Sequence, residues 1–88
     1  MRFEKTRKLL KEKGYNEFDQ RLKKCPAWLR KSYISEINYC EETGVIYDLE
    51  IHRIKRGNRG GLYTPDNVKI LTKERHKLHH AMEKGCGR

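Results

Sequence analysis

Eighty-eight residues, with 35% apolar and 38% charged side chains, make one small domain whose modest core gains from a metal, a disulfide or a partner. Twenty-one Lys and Arg against twelve Asp and Glu leave a formal charge of +9, which favours a polyanion, nucleic acid first. Trp28 and five tyrosines argue against a disordered chain, no apolar run is long enough to span a bilayer, and the odd set Cys25, Cys40 and Cys86 has no CxxC pair, excluding a closed disulfide framework and a four-cysteine zinc site.

The charge is segmental. Residues 1–32 carry eleven basic and four acidic groups, residues 33–52 five acidic and no basic groups, and residues 53–88 ten basic and three acidic groups. Two basic flanks thus enclose an acidic stretch that ends at His52, the pattern of a phosphate-binding surface with carboxylates near a cation site. A reducing cytoplasm and association with DNA are the setting this composition implies, with no membrane.

Arg2 to Lys13 consists of good helix formers, with Phe3, Leu9 and Leu10 as a thin apolar face and Gly14 where a helix often stops. Its cations read as a solvated face. Asn16 is positioned to cap a second, short helix carrying Phe18 and Leu22. Pro26 suits the first turn of a third, in which Trp28, Leu29, Tyr33, Ile34 and Ile37 recur at helical spacing and read as core. Cys40 to Gly44 is a turn, followed by Val45, Ile46 and Tyr47.

From Leu49 to Ile54 the apolar residues alternate as in a strand, Leu49 and Ile51 facing one way and Glu50, His52 and Ile54 the other. Lys55 to Gly61 is basic and holds Gly57, Gly60 and Gly61, as suits a mobile loop that brings Arg56 and Arg59 to phosphate. Thr64 to Asn67 has turn chemistry, and Val68 to Leu71 is the returning strand. Thr72 can cap a helix to about Lys84, with Gly85 as its stop. Leu71, Leu78 and Met82 fall on one side of it, and His76 and His80, one turn apart, on nearly the opposite side. Two such imidazoles and a third from the strand would bind one divalent ion with positions open for water and phosphate. His79 competes with His80 for that place.

In order, EIHRI, Gly60-Gly61, Asp66-Asn67 and RHKLHH resemble the His-Asn-His (HNH) endonucleases of the ββα-metal fold, including colicin nuclease domains and small phage or mobile-element enzymes. The resemblance covers Cys40 to Lys84. It implies an α+β fold in which a helical, basic part (1–39) packs on a ββα-metal finger (40–84), the whole of 1–88 forming one nuclease domain. It also implies one divalent ion (Mg, Mn, Ni or Zn) on His52, His76 and His80, with Asn67 fixing the site's geometry. Arg53, Lys55, Arg56, Arg59, Arg75 and Lys77 would then meet the phosphates of double-stranded DNA, nicked or cut by a monomer or homodimer.

Two positions depart from the family pattern. Of the paired cysteines that bind a structural zinc in many relatives only Cys40 is present, and Thr72 and Arg75 stand in the second pair, so no structural zinc is expected. Arg53 occupies the place of the general base, and a guanidinium cannot take a proton from water. Activation of water then falls to the metal or to His79, Tyr63 or Glu50. A different assignment makes His52 the base and Asp48 or Glu50 the metal carboxylate. The rival function is a weakened or inactive DNA-binding module of the same fold.

Overall fold

The computed structural model describes residues 2–16 and 18–86, with side chains as far as Ala81 in the last helix. Chain order is α1 (Glu4–Glu12), a 3-10 turn (Gln20–Lys23), α2 (Ala27–Ile37), β1 (Leu49–Arg53), 3-10 turns at Gly57–Arg59 and Pro65–Asn67, β2 (Val68–Thr72) and α3 (Lys73–Cys86). The class is α+β: among the described residues there are three α-helices and one two-stranded antiparallel sheet.

Helix α1 begins without a cap of its own. Phe3 stands at the cap position in a left-handed conformation, φ 56°, with its buried ring edge-on to Tyr33 at 4.7 Å. Its aromatic side chain cannot accept the free amides of the first turn, so an acceptor comes from elsewhere. Glu36 on α2 takes them, receiving Lys5 N–H and Thr6 N–H at 2.9 Å each and the Thr6 hydroxyl at 2.7 Å. Burial opposes the charge on Glu36, but these hydrogen bonds outweigh it and hold the carboxyl below its usual range. One carboxylate thereby caps one helix and fastens it to the next.

The short second helix expected around Asn16 is instead a four-residue 3-10 turn that starts after Asp19. Asp19 caps it by accepting Arg21 N–H, while the Arg21 guanidinium forks onto the same carboxylate at 2.9 and 2.7 Å. Asn16 accepts the amide of Phe18 in a local turn, and Phe18 is 77% exposed. A single 3-10 turn has one inward position, and Leu22 fills it. In α2 the expected stripe does pack: Leu29 and Tyr33 are fully buried, with Trp28, Ile34 and Ile37 beside them.

The strands pair with Leu49 opposite Thr72, Ile51 opposite Ile70 and Arg53 opposite Val68. Leu49, Ile51, Val68 and Ile70 therefore share a face, which closes the core against Leu22, Leu29 and Tyr33. Glu50 and His52 share the other face, under α3. Thr72 Oγ1 accepts Arg75 N–H at 3.2 Å and starts α3 as expected. Gly85 does not stop that helix, which reaches Cys86; a glycine inside a helix costs about 1 kcal/mol and ends one only where the backbone turns left-handed. Leu78 faces outward, 43% exposed, so the helix docks by its histidine side; the side chain of Met82 lies outside the described residues. Among the described residues no helix is long and apolar enough to cross a membrane.

Replacing Glu36 by Ala should remove about 1–3 kcal/mol of stability, because two helix amides and a hydroxyl lose their acceptor together. Glu36→Gln, which keeps one acceptor oxygen, should lose less. Urea unfolding of the two variants checks the order.

Candidate metal centre

The connection between β1 and β2 is held at its neck by Asn67. Its side-chain oxygen accepts Lys55 N–H at 2.7 Å, and its amide group donates to the carbonyls of Lys55 at 3.1 Å and Leu62 at 2.9 Å. The backbone adds Ile54 N–H to the Asn67 carbonyl at 2.8 Å. Asn67 therefore ties both ends of the loop to one point, across to the first strand. Gly60, at φ 81°, makes the left-handed turn, and at Gly61 any Cβ would sit 1.8 Å from the Lys55 carbonyl oxygen. The loop itself is compact, with a 3-10 turn at its tip.

That frame aims His52 from β1 at α3. His52 is buried, His76 and His80 are half-buried, and one ligand nitrogen from each lies within 4.8 Å of the others. The Nε2 atoms of His76 and His80 are 3.1 Å apart. Tetrahedral zinc with bonds of 2.0–2.1 Å needs nitrogens about 3.3 Å apart, so a contraction of at most about 1.5 Å toward His52 would complete a three-imidazole set. These rings line a small cavity of about 130 Å³ with Arg53, Arg56 and Tyr63.

The hydrogen bonds of the cluster have one polarity. Arg56 can only donate, and its NH2 lies 2.8 Å from His80 Nδ1, so a neutral His80 carries its proton on Nε2, toward His76 Nε2. His76 then has its proton on Nδ1, 2.8 Å from Glu50 Oε1. Glu50 so fixes the His76 ring with Nε2 available to a cation, as a carboxylate behind a metal histidine does. For His80 to ligate through Nε2 its proton must move to Nδ1, in competition with Arg56.

His79 goes elsewhere. Its Nε2 donates to both oxygens of Glu42, at 2.8 and 3.0 Å, while its ring lies 5.0 Å from that of His52. Glu42 also receives Arg75 and Lys69. Burial acts against the charge of Glu42, yet the hydrogen bonds from His79, Arg75 and Lys69 pull its carboxyl down from 4.5 to about 2. Nothing in the local sequence marks Glu42, because its partners are 27 to 37 residues away.

The remaining candidates fall as follows. Arg53 lies over the Tyr63 ring at 4.5 Å and reaches the Gly61 carbonyl at 3.4 Å, so no proton acceptor stands at that position. Lys55, Arg59 and Lys77 are exposed, whereas Arg75 is engaged by Glu42 and Arg56 by the imidazole cavity. Asp48 lines a separate groove with Thr72, Lys73 and Lys77, away from the three rings. Cys25 and Cys40 are free thiols.

Compared with family models, with curated proteins and with solved structures, the chain matches none.

Two substitutions test this architecture. Gly61→Ala forces a backbone atom aside, and should unfold the loop and abolish Zn²⁺ uptake in a titration while much of the helical signal stays. Glu42→Gln should destabilise the protein most near neutral pH, because a depressed carboxyl stabilises above its unfolded value near 4.5 and loses that effect as pH falls toward 2. Melting curves of wild type and variant should therefore converge through that window.

Proposed function

We propose that the chain is a metal-dependent DNA endonuclease of the ββα-metal, HNH type. The observation that carries this reading is the meeting of His52, His76 and His80 across β1 and α3 in a cavity walled by two arginines. Asn67 and Gly61 brace it, which is how a site keeps ligands within reach of a fixed geometry.

Three imidazoles suit zinc or nickel better than magnesium or manganese, which prefer oxygen ligands. When bound, such an ion supplies positive charge for a scissile phosphate oxygen and the leaving oxygen. The side chains do the rest. His52, His76 and His80 hold the ion, Glu50 orients His76, and Arg53 and Arg56 offer donors to phosphate. Lys55, Arg59 and Lys77 add charge at the surface.

Arg53 supports a second reading. With its guanidinium on Tyr63 where the family pattern has a base, catalysis loses ~10²- to 10⁴-fold, and the fold then serves as a DNA-binding module.

Incubation of supercoiled plasmid at low salt with EDTA, Mg²⁺, Mn²⁺, Ni²⁺ or Zn²⁺ decides between them. Metal-dependent nicking or linearisation that disappears in His76→Ala/His80→Ala is the expected result. Intact plasmid with every metal, together with a retarded band in a gel, overturns the endonuclease and leaves the binding module.

A further inference from the structure

Next to the imidazole cavity lies a larger groove of about 440 Å³, one wall of which comes from the N-terminal half of the chain. Lys23 and Lys24, where the first 3-10 turn ends, and Arg30 on α2 form that wall. Ile51, Tyr63 and His76 line both the groove and the imidazole cavity, so the two depressions adjoin. We propose that this groove binds the sugar-phosphate backbone of the DNA strand on one side of the phosphate presented to the imidazoles. Lys23, Lys24 and Arg30 are the groups that meet its phosphates.

Charge is the first support. Lys23, Lys24 and Arg30 stand together along one depression and, like the lysines of α1, form no ion pair with a described residue. Cations left unpaired along one concavity are the electrostatic footprint of a polyanion. The one carboxylate in the groove, Glu50, is bound to His76, and burial pushes the Cys25 thiol up to about 11, so it adds no negative charge at neutral pH.

Rigidity is the second. Tyr63 N–H donates to the Leu22 carbonyl at 2.8 Å, and the Tyr33 hydroxyl donates to the Tyr63 carbonyl at 2.7 Å. The cationic wall is thereby fixed to Tyr63, which lines the groove with His76, and a bound strand would not have to order that side of it.

The proposal rests on the nucleic-acid reading of the site, and a binding experiment in EDTA separates the two. A fluorescent DNA duplex is titrated by anisotropy over a salt series with wild type, with Lys23→Ala/Lys24→Ala/Arg30→Ala, and with Lys5→Ala/Lys8→Ala/Lys11→Ala, which removes the same charge from α1. The groove triple should weaken binding at least tenfold at about 0.1 M salt and flatten the slope of log K against log salt by about 2 to 3, close to one unit for each phosphate that the protein no longer neutralises. The α1 triple should change both much less. Unchanged circular dichroism and Zn²⁺ binding show that the groove triple is folded. A groove triple that binds like wild type, or an α1 triple that loses as much, overturns the groove. If the plasmid is never cut yet the groove triple alone loses DNA, the endonuclease fails and the groove stands.

Discussion

The register of the two strands governs everything around it. Because Leu49 faces Thr72 and Arg53 faces Val68, Leu49 and Ile51 fall to the core and Glu50 and His52 to the polar side. A slip of one residue would exchange the two sets, turn a carboxylate and an imidazole into the apolar core, and move the apolar pair to the face under α3. A two-stranded sheet is too small to fix such a choice alone. Asn67 does it by binding both ends of the loop, and Gly61 lets the backbone come close enough for that.

Above that register, two carboxylates in the acidic stretch act at long range. Glu42 gathers His79, Arg75 and Lys69, and Glu50 gathers His76. Adjacent histidines on α3 are thereby sorted: His79 is committed to a carboxylate, and His76 and His80 are left facing each other. The acidic segment between two basic flanks supplies the carboxylates that pair Arg2, Lys69 and Arg75.

What was legible in the sequence is what depends on neighbours a few residues away. Strand alternation placed Glu50 and His52 together, helical spacing placed His76 beside His80, and Thr72 was readable as a cap. Short-range reasoning failed where two local solutions compete, as at Asn16 and Asp19, and where a glycine has two possible uses, as at Gly85. Pairings made by folding itself left no local trace. Glu36 capping α1, Glu42 choosing His79, and Lys23, Lys24 and Arg30 lining one groove with His76 join residues that only tertiary packing brings together.

Helix α3 is attached differently from α1 and α2. None of its described side chains is a buried apolar group, and among them those turned inward are imidazoles and a guanidinium, of which His76, His79 and Arg75 are held by acidic residues of the preceding segments. Apart from Leu71, wholly buried on the strand face below, attachment of that kind is polar, so its strength follows ionic strength as well as buried area. A helix held in this way can lift from the hairpin at a smaller free-energy gap than global unfolding. Since it carries two of the three clustered imidazoles, docking of α3 and assembly of the cluster are one equilibrium, and any species that binds the assembled cluster pulls the helix down with it.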